Sequence, residues 1–106
     1  MKVQIETPPI ISDNIDQIET LCGAYNVKSL FVFGSVCDSN FDEESDIDFL
    51  VSFYPMEFSD YAETYFKLAD ELEHLFSRPV DLITDKSLAN PYFVASVDKT
   101  KVRIYG

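Results

Sequence analysis

The amino-acid sequence predicts a mixed α/β (α+β) fold in which helices pack on a small mixed β-sheet. The chain has 106 residues, of which 46% are apolar and 14% aromatic, enough for one hydrophobic core. Short apolar runs that end at turn residues alternate with longer segments of helical periodicity. The predicted order is helix, strand, turn, strand, helix, strand, short helix, strand, which is typical of a mixed sheet covered by helices. We therefore expect residues 1–106 to form a single domain.

The two longer helices are predicted from their spacing and end signals. The first follows the prolines at positions 8 and 9, with Ser12 as the expected N-cap and Asn26 as a suitable C-terminus. The second follows Pro55, where Asp60 and Glu63 have the spacing of a capping box. One apolar stripe of this second helix is expected to cover the sheet: Tyr61, Tyr65, Leu68, Leu72, Leu75 and Phe76.

Four segments have the composition of strands: residues 30–33, 46–51, 78–84 and 101–105. The last of them is expected at an edge of the sheet. Helical and strand spacing also predict that most of the following aromatic side chains lie in the core: Tyr54, Tyr61, Tyr65, Tyr92, Tyr105, Phe58, Phe66 and Phe93. The aromatic residues beside Pro55 and Pro91 are equally suited to a partner surface. His74 is expected on the polar side of its helix.

Gly34 and Ser35 follow the first strand directly, at a turn suited to an anion. Backbone N–H groups at such a turn, together with the Ser35 hydroxyl, can face a phosphate. Ten residues later, Asp46 and Asp48 lie two apart on the next strand, so their side chains project from the same face. Two carboxylates this close repel each other unless a hard cation such as Mg²⁺ neutralises them. The pattern predicts a phosphate site beside a metal site.

A third carboxylate, Asp81, lies near the beginning of the strand at residues 78–84. Three acidic groups on adjacent strands can hold two metal ions that clamp the triphosphate of a nucleotide. A metal ion or Asp81 would then help to deprotonate an attacking hydroxyl. The reaction class that these residues predict is nucleotidyl transfer. Arg78, next to Pro79, is interpreted as a structural residue.

Together these motifs resemble the minimal nucleotidyltransferases of the DNA polymerase β-like superfamily. The resemblance rests on Phe33-Gly34-Ser35, on residues 45–51 and on residues 78–83, and it extends over nearly the whole chain. The closest subgroup is the antitoxin half of two-gene toxin–antitoxin modules, whose partner is a small helical ribonuclease of the HEPN type. Members of that subgroup transfer AMP from ATP to a tyrosine of the toxin.

The resemblance implies a role for each motif residue. Gly34 and Ser35 would hold the nucleotide phosphates, Asp46 and Asp48 would bind two Mg²⁺ ions, and Asp81 would be the third acid. ATP would be the substrate and a HEPN-type toxin the partner, which AMP transfer would neutralise. Whether the chain forms homo-oligomers or hetero-oligomers stays open.

One position departs from the family pattern. Members usually continue the turn as Gly-Ser-x-Ala-Arg-Gly, whereas this chain has Val36-Cys37-Asp38-Ser39, with an aspartate at the arginine position. A carboxylate there removes a bidentate phosphate donor and adds repulsion. Either a basic residue from elsewhere in the chain or from the partner compensates, or the alternative function holds: a binding module that neutralises its partner by forming a complex, without efficient catalysis. A third alternative, transfer to RNA or to a small molecule, usually requires an additional substrate domain.

The charge of the chain argues against nucleic acid as a partner. Its 19 acidic and 8 basic residues give a formal net charge of −11, which opposes contacts with phosphate backbones. This charge either steers a basic protein toward the chain or simply keeps the chain soluble. Cys22 and Cys37 have neither metal-ligand nor redox spacing, which fits free thiols in a reducing compartment. No signal peptide or membrane span is predicted, so we expect a cytoplasmic protein.

Overall fold

The fold of this protein is given by a computed structural model that describes residues 7–37 and 45–106. Two short 3₁₀ turns, Gly34–Cys37 and Asp85–Ser87, accompany the regular elements. Within the described residues, the helices are α1 (Pro9–Ser12), α2 (Ile15–Ala24), α3 (Phe58–Phe76) and α4 (Pro91–Thr100). The strands are β1 (Val27–Phe33), β2 (Ile47–Phe53), β3 (Val80–Thr84) and β4 (Val102–Tyr105).

The four strands form one mixed sheet in the order β3, β2, β1, β4. β1 is antiparallel to both β2 and β4, whereas β2 and β3 are parallel. A parallel pair requires a crossover connection, which α3 supplies between β2 and β3. This architecture confirms the predicted fold class, including the position of the last strand at an edge of the sheet.

The main core lies between one face of the sheet and the inner sides of α2 and α3. Ile18 and Cys22 of α2 are buried there, as are Leu68, Leu72 and Phe76 of α3. Burial of each large apolar side chain contributes about 1.5–3 kcal/mol to stability. The predicted stripe of α3 is confirmed. The sheet contributes alternate buried residues to this core: Leu30, Val32, Ile47, Phe49, Val51 and Leu82.

The opposite face of the sheet carries a smaller core against α4. Val97 of α4 is buried against Phe33 and Leu50, and the ring of Phe93 meets the ring of Phe33 edge to face at 6.1 Å. Successive side chains of a strand point to opposite faces. Asp48 therefore projects from the same face as Leu50, on the side of α4.

The predicted start of the first long helix is wrong. Ser12 does not cap it but ends the short helix α1, with its hydroxyl donating to the Pro9 carbonyl at 3.3 Å. Because the fixed φ of proline suits the first turn of a helix, Pro9 starts a helix earlier than the N-cap signal indicates. α2 then begins at Ile15. Its predicted end is confirmed, since Asn26 adopts the left-handed conformation with φ of +57°.

The predicted capping box of the second long helix is also wrong. Glu57 precedes α3, so Asp60 lies inside the first turn rather than at the N-cap. Glu63 instead pairs with Lys67 one turn further along, at 2.7 Å. An acidic residue in the first turn still favours the helix through its dipole.

Five of the aromatic side chains considered for the core are exposed. Phe66 was expected in the core, whereas core and partner surface were equally expected for the other four, which lie in the segments around Pro55 and Pro91. Four of the five are more than half exposed, whereas the ring of Phe93 still contacts the ring of Phe33. Tyr65 and Tyr105 are partly buried against the main core, and the ring of Tyr61 meets the ring of Phe53. The inner side of each helix has room for one stripe, which aliphatic residues already fill. The exposed fractions are 56% for Tyr54, 88% for Phe58, 69% for Phe66, 87% for Tyr92 and 37% for Phe93.

Two further predictions concern the helices. His74 is exposed, as predicted. In the described part of the chain, none of the helices has the length and apolar character that a membrane span requires.

Candidate active site

Gly34 turns the chain at the end of β1, in a position where only glycine fits. Its φ of +78° is left-handed, and it opens the 3₁₀ turn that contains Ser35. A Cβ atom on Gly34 would lie 2.4 Å from Oδ2 of Asp48, which is too close for any side chain. The predicted phosphate turn and one of the predicted metal ligands are therefore in direct contact.

Thr100, at the end of α4, contacts the same turn. The N–H of Gly34 donates a 2.9 Å hydrogen bond to Oγ1 of Thr100. This N–H is therefore engaged inside the protein, and Gly34 contributes the shape of the turn rather than its own N–H. No sequence signal indicated Thr100, because a lone threonine in a helix carries no recognisable pattern. Its role follows from the packing of α4 against the turn.

Asp48 and Asp81 lie side by side on the parallel strands β2 and β3. On the other side of Asp48, its partner across the antiparallel pair is Phe33, which immediately precedes the Gly34 turn. Neighbouring positions of adjacent strands project from the same face. Asp46 comes just before β2 and is exposed. All five residues predicted for the site, Ser35 included, lie at one end of the sheet.

The three carboxylates interact electrostatically. Burial, followed by the charges of Asp81 and then Asp46, raises the pKa of Asp48 from its ordinary 3.8 to about 6. Asp48 is the most enclosed of the three, whereas Asp46 and Asp81 are exposed. A cation bound beside Asp48 would reverse the effect of these charges and favour its ionised form.

The carboxylates present fit an open magnesium site. Mg²⁺ prefers oxygen ligands and is usually bound by one or two carboxylates, with water and substrate phosphates completing its octahedron. Within residues 7–37 and 45–106, no three His, Cys, Asp or Glu side chains converge closely enough to enclose a metal ion. Among these residues Asp46, Asp48 and Asp81 thus do not form a closed three-ligand cluster, and a cation bound by one or two of them would need further ligands from water or phosphate. The Gly34 turn, in contact with Asp48, is the predicted place for the phosphates.

Arg78 supports the segment that leads into the acidic residues. Its Nη1 donates a 3.1 Å hydrogen bond to the carbonyl of Ser45, the residue before Asp46. The N–H of Ile47 donates to the carbonyl of Pro79 at 3.2 Å. The beginning of β3 thus anchors the beginning of β2, which agrees with the interpretation of Arg78 as structural.

Tyr65 of α3 reaches the edge strand beside Asp81. Its hydroxyl donates to the carbonyl of Leu82, and burial, then the charges of Asp81 and Tyr61, raise the pKa of the hydroxyl. It therefore stays protonated at neutral pH and keeps its role as a donor. Helical periodicity placed Tyr65 correctly on the apolar stripe but carried no information about its polar end.

The remaining predictions near the site concern a loop and two cysteines. Asp38, at the arginine position of the family pattern, lies outside the described residues. Cys22 is buried in the core, and burial, with a smaller effect of Glu19, raises the pKa of its thiol to about 12. It is therefore unreactive at neutral pH. Cys37 lies in the turn after β1, with its sulfur 3.7 Å from the carbonyl oxygen of Val32.

The glycine turn in contact with an acidic row on a mixed sheet fits the nucleotidyl transfer that the sequence predicts. The chain belongs to the polymerase beta nucleotidyltransferase family, whose model matches residues 16–106. It is 39% identical over 80 residues to a Methanocaldococcus jannaschii protein designated a candidate protein adenylyltransferase, covering 76% of this chain and 79% of that protein. Another protein of that organism, with the same designation, is 45% identical over 64 residues, covering 60% of this chain and 71% of its own length.

Solved structures confirm the fold. A candidate minimal nucleotidyltransferase has a TM-score of 0.65 at 25% identity, covering 94% of this chain and 98% of its own. A toxin–antitoxin structure with AMP-PNP has a TM-score of 0.68 at 22% identity, covering 88% of this chain and 73% of the matched chain. A complex of the tri-AMPylated Shewanella oneidensis HEPN toxin with MNT antitoxin has a TM-score of 0.62 at 21% identity. The match covers 90% of this chain and 71% of the matched chain. The predicted resemblance to minimal nucleotidyltransferases is thereby confirmed.

Proposed function

We propose that this chain is a Mg²⁺-dependent protein adenylyltransferase that moves AMP from ATP to a tyrosine of a HEPN-type toxin and so acts as its antitoxin. The observation that supports this most directly is the contact of the Gly34 turn with Asp48, beside Asp81 on the next strand. Family membership and relatives named for protein adenylylation point the same way. One of the structurally similar complexes contains a HEPN toxin that carries AMP groups.

Each site residue has a part in the proposed reaction. Asp46 and Asp48, with Asp81 as third acid, would hold Mg²⁺, which when bound neutralises charge on the phosphates and on the attacking oxygen. The Ser35 hydroxyl and the Gly34 turn would orient the β- and γ-phosphates of ATP. Catalysis of this kind rests on positioning and charge neutralisation.

The transfer step is a displacement at the α-phosphorus of ATP. The tyrosine oxygen forms a bond to this phosphorus while the bond to the bridging oxygen of the β-phosphate breaks. Pyrophosphate leaves with the electron pair of that bond. The proton of the tyrosine passes to Asp81 or to solvent. Asp81 is exposed at the edge strand, where an acceptor can approach it. We place the reaction in the cytoplasm, where ATP is available.

The second candidate function is a binding module that neutralises its toxin without chemistry. The observation that favours it is Asp38, which stands where related proteins have a phosphate-binding arginine. This candidate predicts a tight complex that forms equally well with and without nucleotide.

Intact-mass spectrometry distinguishes the two candidates. The protein encoded by the adjacent gene is incubated with this chain, Mg²⁺ and ATP, and its mass is compared before and after. We expect the added mass of one or more AMP groups, and none with Asp46→Asn or Asp48→Asn, which should fold normally. Normal transfer by either variant would show that the site is wrongly assigned. An unchanged partner that still co-purifies with this chain would favour the binding module.

A further inference from the structure

A groove of about 500 Å³ lies between α3 and the edge strand β3, and Asp81 belongs to its wall. The α3 wall includes Phe58, Ala62 and Phe66, which lie at intervals of four residues and therefore on one side of the helix. Asp81 projects from the sheet face opposite α3, so the groove reaches the acidic row at the edge of the sheet, along β3. An acceptor that occupies the groove would thus lie beside the reacting groups.

The α3 wall exposes aromatic rings to solvent. Phe58 is 88% exposed and Phe66 is 69% exposed. Large aromatic side chains exposed together are uncommon on monomers and are enriched at protein interfaces. The ring of Phe66 meets the ring of Tyr65 edge to face at 5.2 Å, and the Tyr65 hydroxyl is bonded to Leu82. The Phe66 part of the wall is therefore held in place before any partner binds.

The edge strand itself is partly closed to strand addition. The N–H of Val80 donates to Oε2 of Glu73 at 3.1 Å, and the carbonyl of Leu82 accepts from the Tyr65 hydroxyl. Side chains of α3 thus occupy backbone groups that an added strand would need. A partner at this groove is held by its side chains rather than by a backbone ladder.

Two carboxylates and one lysine ammonium lie around the groove, and their charges bear on which partner it can bind. Asp81 lies in the wall, and Asp85 is exposed between the lining residues Thr84 and Ser87. The ammonium of Lys86 lies 4.8 Å from the centre of the Tyr61 ring. With a net charge of −11 for the chain, the complementary ligand is an aromatic side chain with lysine or arginine beside it.

We propose that the groove between α3 and β3 is the docking site for the acceptor segment of the partner protein. The segment carries a tyrosine with basic neighbours, its ring packs against Phe58 and Phe66, and its hydroxyl is directed toward Asp81. This inference rests on the proposed function and adds to it the surface that selects the acceptor.

Steady-state transfer to the protein encoded by the adjacent gene tests this surface. The double variant Phe58→Ser/Phe66→Ser should raise the KM for this protein at least about tenfold, because aromatic anchors dominate interface energies. Asp85→Lys should raise the same KM several-fold. The Kd for ATP, measured by titration calorimetry, should stay unchanged in both variants. The matched controls are Tyr92→Ser, which removes an equally exposed ring from α4, and Glu19→Lys, which makes the same charge reversal on α2.

The outcomes separate the docking surface from the reaction. If the wild type transfers AMP and both groove variants have an unchanged KM for the acceptor protein, the groove is not the docking site. The proposed function is then unaffected. If the wild type binds the adjacent-gene protein but adds no AMP, the proposed transfer function is wrong. The groove is then tested by the Kd of the complex. A weaker complex for the groove variants alone then supports the groove, and an unchanged Kd overturns it. Absence of both transfer and binding overturns both.

Discussion

The carboxyl group of Asp48 in the candidate site has a raised pKa. Because burial and the charges of Asp81 and Asp46 raise its pKa to about 6 in the folded protein, the folded state binds this proton more tightly than the unfolded chain does. Its contribution to stability is therefore fully present below the ordinary pKa and is lost as the pH rises through about 6. At neutral pH the Asp48 carboxylate therefore opposes folding.

We expect Asp48→Asn to stabilise the protein above pH 6 by about 1 kcal/mol, a value reduced for solvent screening. The gain should shrink as the pH falls from 6 to 4, where the native carboxyl is also uncharged. Urea unfolding in the presence of a chelator, at several pH values across this range, measures the difference. Asp70→Asn, on the exposed side of α3, removes the same charge and should give no comparable gain. An equal gain for Asp48→Asn at all pH values would contradict the assignment.

Gly34 and Gly23 provide a matched pair of substitutions. Alanine at Gly34 places a Cβ atom 2.4 Å from Asp48 in a backbone conformation with φ of +78°. We expect Gly34→Ala to lower the free energy of unfolding by about 1–3 kcal/mol and to weaken ATP binding. Gly23 lies in α2, where a Cβ atom meets nothing within 4 Å, so Gly23→Ala should raise stability by about 0.5–1 kcal/mol. Thermal unfolding and ATP titration of both variants check this, and wild-type behaviour of Gly34→Ala would contradict it.

The end of α4 is coupled to the phosphate turn through one hydrogen bond. Thr100→Val keeps the shape of the side chain but removes the acceptor of the Gly34 N–H, which leaves a partly buried donor without its partner. We expect the Kd for Mg²⁺-ATP to rise about five- to tenfold, as measured by titration calorimetry. Thr100→Ser retains the hydroxyl and should bind nearly as the wild type does. If the valine variant bound ATP normally, the hydrogen bond would have no part in shaping the turn.

The strands and the apolar stripe of α3 were predictable because their signals are local and periodic. The same holds for Gly34, Asp46, Asp48 and Asp81, whose spacing placed them at one end of the sheet. Thr100 was not predictable, since its hydrogen bond joins residues 66 positions apart. Helix starts were missed where two signals competed, as when the prolines before Ser12 began a helix of their own.

The exposed aromatic residues show that helical periodicity does not predict which apolar side of a helix is buried. Phe58 and Phe66 have helical spacing, yet α3 buries only the side that carries Leu68 and Leu72. Periodicity identifies the apolar positions of a helix, but the neighbouring elements decide which of them have something to pack against. Two sides of α3 are apolar near its first half, and the sheet covers one of them. The other side lines the groove beside Asp81.

The net charge of −11 is distributed over a small protein whose cations are partly engaged with aromatic rings. Lys101 and Arg103 lie 5.2 and 5.3 Å from the ring centre of Phe31, in the same way that Lys86 lies over Tyr61. These contacts hold positive charge close to the sheet and to α3. The surface field is therefore dominated by carboxylates, which attract a basic partner from a distance.

We expect association with the proposed toxin partner to be faster at low ionic strength. Raising the salt concentration from about 0.05 to about 0.5 M shortens the Debye length to less than half, so long-range attraction is largely lost. The association rate constant should fall about tenfold or more, while the dissociation rate constant should change much less, because the aromatic contacts of the groove are insensitive to salt. Stopped-flow measurements over a salt series determine both constants. Asp85→Lys should lower the association rate at low salt and converge toward the wild type at high salt, whereas Glu19→Lys, remote from the groove, should change it much less. An association rate independent of salt would show that short-range contacts alone bring the two proteins together.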